Sequence, residues 1–258
     1  NYSESFKEIR KAWISKYIIL IPIIVIAIVV LIVLFNKYAA KLNKKTQLKK
    51  GRKTFWEELI YANHVIFHPF DGFWDLKHEY RGSVRASFVW IVIAILTFYY
   101  QSVGTGYIFN PQEGGSTILV QLTAVLVPVL LWTVSNWCLT TLFDGEGSFK
   151  DIFVATSYAL VPIPILIIPS VIISNFSLAS EATIINLLVS LAFIWCGLLI
   201  FFGTMVTHDY TFSKNIITSL GTIVGMAIIM FIGILFSTLL AKIVSFISSI
   251  VIEITYRM

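Results

Sequence analysis

What this sequence has little of settles its class. Cysteine is nearly absent: Cys138 and Cys196 are the whole supply in 258 residues, and both stand inside apolar runs. A disulfide framework and a thiolate metal site are therefore excluded. Charge is scarce as well. Only 13% of residues are charged and 57% are hydrophobic, where a soluble domain carries roughly 25% charged and about 45–50% apolar residues. A water-soluble core of this length cannot conceal so much apolar surface, which excludes a soluble enzyme. Disorder fails for the opposite reason, since it needs low hydrophobicity and high net charge. What is left is a polytopic membrane protein.

The few charges are also unevenly placed. Of the 33 charged residues, 22 precede residue 88, and the remaining 171 residues carry only 11. Those 11 fall between or beyond long apolar stretches, as expected when an unpaired charge in hydrocarbon costs several kcal/mol. About 20 apolar residues are needed to cross a hydrocarbon layer of roughly 30 Å. Six stretches qualify: Tyr17–Phe35, Phe88–Tyr107, Ile118–Leu142, Ile152–Ile173, Ile184–Val206 and Ile216–Phe236. Backbone amides in lipid must pair within the chain, and the weak alternation of barrel strands is missing, so an all-α bundle of six spans is expected.

Lysine and arginine set the expected orientation. Eleven of them lie in residues 36–87, whereas the connections at 108–117 and 174–183 have none. Positive-inside therefore places 36–87 in the cytoplasm and the N-terminus outside the plasma membrane, although Lys7, Arg10, Lys11 and Lys16 pull the other way. The chain opens on Asn1 with no cleavable leader in view, so an extracytoplasmic domain preceding residue 1 is expected. The divisions are a juxtamembrane segment at 1–16, a first span at 17–35, a basic linker with interfacial helices at 36–87, a five-span unit at 88–236, and a C-terminal helix at 237–258.

In the linker, the Lys-rich tract at 36–54 reads as a solvated face that attracts anionic lipid. It lacks interleaved aromatics and any nucleic-acid module, so no nucleic acid is expected. Thr54 and Glu57 have the spacing of a capping box. Phe55, Trp56, Leu59, Ile60, Val65, Ile66 and Phe67 would then make the apolar stripe of an interfacial helix. His68-Pro69-Phe70-Asp71-Gly72 reads as a stop and a turn, after which Phe73 and Trp74 restart a short amphipathic turn. Trp56, Phe73, Trp74, Arg81 and Arg85 are the expected interfacial anchors, the two arginines snorkelling at the mouth of the second span. His64 and His68 share a helix face, as metal ligands do, but Pro69 ends that helix and no glutamate lies between them. Interfacial hydrogen bonding is the better assignment, with neither metal nor cofactor.

Within the spans, Pro128 and the trio Pro162, Pro164 and Pro169 remove backbone donors. They mark either a kinked packing element or a broken helix lining a substrate path. Gln121, Asn136, Tyr158 and Asn186 read as interhelical hydrogen-bond partners. The spans hold no catalytic set of carboxylates or Ser/His, so no enzyme is expected. Thr238, Lys242, Ser245, Ser249, Glu253 and Tyr256 recur every three or four residues, the pattern of a helix with a polar stripe. Residues 237–258 are expected to lie near the outer face; continuing the sixth span is the alternative.

The most distinctive local signal is the connection after the third span, which contains Asp144, Gly145, Glu146, Gly147, Ser148, Phe149, Lys150 and Asp151. Two glycines allow a tight reversal, and Ser148 can cap a helix opening at Phe149. As a phosphate loop it is poor, with acidic charge and no Walker lysine. These eight residues are the candidate partner-contact site. From Gly145 to Asp151, followed by Ala155, Tyr158 and Pro162, the chain resembles the Yip-domain family of Ypt/Rab-interacting membrane proteins. The run from His68 to Lys77 is similar to the segment that precedes this unit in bacterial members.

The resemblance implies a non-enzymatic membrane protein that acts through partners. Eukaryotic members serve vesicle trafficking, and bacterial ones are associated with carbohydrate ABC importers. The extra first span and basic linker favour the bacterial version. The expected function is a scaffold or accessory subunit of a membrane complex, in contact with ABC-importer permeases and with lipid. The alternative is a permease forming a solute pathway itself, although the Glu-Ala-Ala coupling loop of importer permeases is missing.

Overall fold

The computed structural model describes residues 54–110 and 117–257, together with 33–44 and positions 5, 8, 9 and 30. The chain divides into two compact units, Asn1–Lys53 and Thr54–Met258. In the first, residues 33–44 are helical. Most of the expected span Tyr17–Phe35, and residues 45–53 of the Lys-rich tract at 36–54, lie outside the described residues.

Among its described residues, the second unit is built of helices joined by short loops, with no strand. Three short helices come first: α1 (Phe55–Ile60), α2 (Ala62–Phe67) and α3 (Pro69–His78). Thr54 opens α1 as its spacing predicts, its backbone N–H donating to Glu57 Oε2 at 2.8 Å. The stop expected at His68 is present, since α2 ends at Phe67, but the turn expected after it is replaced by helix, because Pro69 is the first residue of α3. Proline is well placed there, since its missing N–H belongs to a first-turn position that has no intrahelical acceptor.

The longer helices come next: α4 (Val84–Gly104), α5 (Ile118–Thr140), α6 (Phe149–Tyr158), α7 (Pro162–Ser174), α8 (Ala182–His208) and α9 (Phe212–Arg257). With α6 and α7 taken together, five candidate spans are long and apolar enough to cross a membrane. The stretch expected as one span at Ile152–Ile173 is thus two helices. The chain turns at 159–161 because Pro162 and Pro164 supply no amide hydrogen to the carbonyls before them.

The last helix shows the largest departure from the sequence-based expectation. Residues 237–257 do not form a separate helix; they continue α9 without a break. No proline follows Pro169 and no glycine follows Gly233, so nothing in the chain stops it. At 1.5 Å per residue α9 is about 69 Å long, roughly twice the hydrocarbon thickness.

The centre of the unit is the α6–α7 pair. α7 packs on α8 and α4, α6 on α4, α5 and α8, and α9 on α5 and α8. One apolar cluster joins the short helices to the bundle through Tyr61, Val65, Phe73, Leu76, Tyr158 and Leu199. A second fills the bundle with Ile91, Val129, Phe153, Ile163, Ile167 and Cys196. Buried hydroxyls bond back along their own helices, for example Thr133 to Val129 O, Thr156 to Ile152 O and Ser157 to Phe153 O. This satisfies them where water is absent. At one end of the bundle, Gly106 N–H donates to Ser174 Oγ at 2.9 Å and Asn175 Nδ2 to Gly104 O at 2.7 Å. A Cβ on Gly106 would lie 2.5 Å from Ser174 O, so this contact between backbones requires glycine.

Candidate partner-contact site

The other end carries the 141–148 loop, the 209–211 corner and helices α1–α3. Its frame is a buried polar ladder. Gly147 N–H donates to His208 Nδ1 at 3.2 Å, which assigns the ring proton to Nε2, and Nε2–H donates to Asn136 Oδ1 at 2.7 Å. Asn136 Nδ2 then donates to Thr222 Oγ1 at 3.1 Å, and that hydroxyl donates to Thr218 O at 2.8 Å. Beside it, Ser135 Oγ donates to Thr222 O at 2.8 Å. The ladder thus couples the loop to α8, α5 and α9 in turn.

The glycines of the loop are fixed by this frame. A Cβ on Gly145 would stand 2.4 Å from the Tyr210 hydroxyl, and one on Gly147 would stand 2.8 Å from His208 Cε1. Tyr210 stacks on His208 with ring centroids 5.0 Å apart. Asp144 and Asp209 take positive φ, 46° and 55°, a conformation that aspartate tolerates better than most residues. Ser148 caps α6 as expected: its backbone N–H donates to Asp151 Oδ2 at 3.2 Å, and Asp151 N–H donates to Ser148 Oγ at 3.3 Å.

Helices α1–α3 close over the same end. Lys77 Nζ reaches Glu146 Oε2 at 3.1 Å and ties α3 to the loop. Tyr158 O–H donates to Glu58 O at 2.8 Å, and the buried Glu58 carboxylate accepts from Ser83 Oγ. Arg81 lies 2.7 Å from Glu79 Oε2 and 3.5 Å from Asp75 Oδ2, with its guanidinium 5.0 Å over the Tyr61 ring. Burial, followed by its hydrogen bond to Asp75, pushes the Tyr61 phenol above its ordinary range. Burial and the neighbouring His68 hold His64 below the usual imidazole value, and the two rings stack at 4.7 Å.

The eight candidate residues therefore divide by role. Asp144, Glu146, Ser148, Phe149 and Lys150 are exposed, Gly145 and Asp151 are half-buried, and Gly147 is buried. Among the expected anchors, Trp56, Trp74 and Arg85 are exposed, but Phe73 and Arg81 are only 1% and 4% exposed. These two are internal supports rather than surface anchors. Phe73 lies against Gly203 of α8, and Arg81 is held by carboxylates on its own segment. Of the expected interhelical partners, Asn136 and Tyr158 bridge distant segments, while Asn186 is exposed. Sequence reasoning missed His208 and Glu58. The available signal was a histidine closing one apolar run while an asparagine sits inside another.

Between α3, the loop and the 209–211 corner lies an open cleft of about 400 Å³ whose walls include Trp74, Glu146, Asp209 and Tyr210. Among the described residues, no group of three or more His, Cys, Asp or Glu is placed to hold a metal ion. This end presents exposed charged and aromatic side chains, among them Glu146, Lys150 and Trp74, on a hydrogen-bonded frame.

The family model described as Yip1 domain matches residues 63–236, well over half the chain. The match includes α3, the loop and the bundle as far as the middle of α9. No curated protein and no solved structure matches the chain.

Proposed function

The chain belongs to the Yip1 domain family, and from that premise we propose that it is a non-catalytic membrane scaffold, an accessory subunit of a larger membrane complex. The single observation that supports this most is the loop at 144–151. Its backbone is held by His208 and Ser148 while Asp144, Glu146 and Lys150 remain exposed. Such an arrangement presents a surface for a partner without assembling reacting groups.

The finer reading is a bacterial-type member associated with a carbohydrate ABC importer. In it, a sixth span precedes the family unit, residues 36–87 lie in the cytoplasm, and the N-terminus lies outside the plasma membrane. The basic linker and the extra apolar run at 17–35 support it. One observation favours a second reading, a permease with its own solute path: the backbone break at 159–161 falls inside the most buried span. Extraction from native membranes in mild detergent, with identification of co-eluting subunits, separates the two. The scaffold reading expects permease and ATPase subunits in stable proportion. Recovery of this chain alone, with solute flux after reconstitution into liposomes, overturns it.

A further inference from the structure

The distal half of α9 extends past the span it belongs to. Residues 212–236 alone rise about 36 Å, enough to cross a hydrocarbon layer of roughly 30 Å. Because α9 runs on without a break, residues 237–257 continue about 31 Å further along the same axis. The family match ends at residue 236, so this segment lies outside the family unit. None of the described residues covers it: across 239–254 its large apolar side chains are 42–66% exposed.

Those side chains sort by a seven-residue repeat. Steps of four and three lead from Phe236 through Leu240, Ile243, Ile247 and Ile250 to Ile254. Leu240, Ile247 and Ile254 thereby occupy position a, and Phe236, Ile243 and Ile250 position d, of three consecutive heptads. The flanking e and g positions hold Leu239, Val244, Phe246 and Val251, with Glu253 as the one charge there. Positions b, c and f take the polar residues, including Thr238, Lys242, Ser245, Ser249 and Tyr256. An apolar seam at a and d with hydroxyls and a lysine opposite is the pattern of a coiled-coil strand. A helix lying on a membrane surface shows a similar division, but it runs in the bilayer plane, whereas this one prolongs the axis of its own span.

Two features identify the occupant of the seam as the same helix. All copies of one chain insert in the same sense, so their distal halves emerge parallel and at equal height, with a facing a and d facing d. Nothing in that register repels, because no polar or charged residue stands at a or d and Lys242 falls at c, outside the seam. We propose that the distal half of α9 is a self-association element, which docks on α9 of a second copy of this chain in a parallel, in-register coiled coil. It lies at the far end of α9 from the 144–151 loop and is independent of the scaffold reading.

Disulfide trapping in native membranes tests this on the full chain. With Cys138 and Cys196 changed to serine and alanine, single cysteines are introduced by Ile243→Cys and Ile254→Cys on the seam and by Ser245→Cys and Ser249→Cys on the outer face. Mild oxidation is expected to yield cross-linked dimer at both seam positions and roughly tenfold less at the outer ones. Trapping at both 243 and 254 requires the parallel arrangement, since an antiparallel pair aligns like residues only at its centre. Equal yields at all four positions, or none at any, overturn the proposal. Light scattering of the chain extracted in digitonin is expected to give at least twice the 29.1 kDa of one copy. Ile243→Lys/Ile250→Lys is expected to return it to a single copy. Ser245→Lys/Ser249→Lys, which adds the same charge on the outer face, is expected to leave association unchanged. A single-copy wild type, or a seam variant as associated as wild type, overturns the proposal. Where a micelle holds one copy the seam is bare, so truncation within it leaves the unfolding of the single chain unaltered.

Discussion

The α6–α7 pair and α9 are both apolar enough to cross a membrane, yet they occupy opposite situations. In the span formed by α6 and α7, 78% of the apolar window is buried, whereas none of that of α9 is. The difference lies in residue size. α6 and α7 present Ala155, Ser157, Pro162, Ser170 and Ser174 to their neighbours, so other backbones approach closely and the hydroxyls bond within their own helix. Between Met226 and Phe236, nine of the eleven residues of α9 are Ile, Met, Phe or Leu. Hydropathy reports that a helix suits lipid, and the small residues report where helices meet.

The comparison can be broken most sharply by truncation. Tyr158 is fully buried and donates to Glu58 O, so Tyr158→Ala is expected to cost about 3–5 kcal/mol. Leu240→Ala on the exposed face of α9 is expected to stay within roughly 0.5 kcal/mol. Reversible unfolding in mixed micelles reads both, and equal losses would erase the contrast. A second pair sharpens it within α9. A Cβ on Gly225 would lie 2.3 Å from Ser135 Oγ, whereas one on Gly233 meets nothing within 4 Å. Gly225→Leu is expected to cost about 1–3 kcal/mol and Gly233→Leu nothing measurable in the same assay.

Asn136→Ala removes the acceptor of His208 Nε2–H and one donor to Thr222. The expected loss is about 1–3 kcal/mol, with faster amide exchange at Gly147 as the signature that the loop has lost its frame. An unchanged Gly147 exchange rate would show that the ladder does not hold the loop.

The smallest effect is a pH dependence. The folded state keeps His64 below its ordinary value of 6.5. Above that value the imidazole is neutral in both folded and unfolded chains. As pH falls below it, the unfolded chain takes up the proton first, so stability declines. A modest fall in Tm between pH 8 and pH 5.5 is expected, and His64→Asn should flatten it. An identical profile in the variant would assign the dependence elsewhere.

Much of the architecture was legible because it comes from local chemistry. Thr54 with Glu57, Ser148 with Asp151, and the proline trio each declare a helix start or break within a few residues. The continuity of α9 was harder to read, because a polar stripe looks the same on a surface helix as on an extended one. What decides is the lack of a breaker after Gly233. The supports of the site were hidden for a different reason. His208 lies 72 residues from Asn136 and 61 from Gly147, and sequence spacing carries no trace of such pairings. Phe73 and Arg81 likewise look like surface anchors until Gly203 and Asp75 are brought against them.

The loop glycines are poor probes of recognition. Bulky residues at Gly145 or Gly147 would strike Tyr210 and His208, so their effects would mix folding with partner contact. Glu146, with a side chain 65% exposed, separates them. The most direct test of a partner-covered loop places a single cysteine there, Glu146→Cys, with Cys138 and Cys196 changed to serine and alanine. Its reaction rate with a membrane-impermeant maleimide is then compared between opened native membranes and the purified chain. The account predicts slow labelling in the membrane and fast labelling after purification; equal rates in both would contradict it.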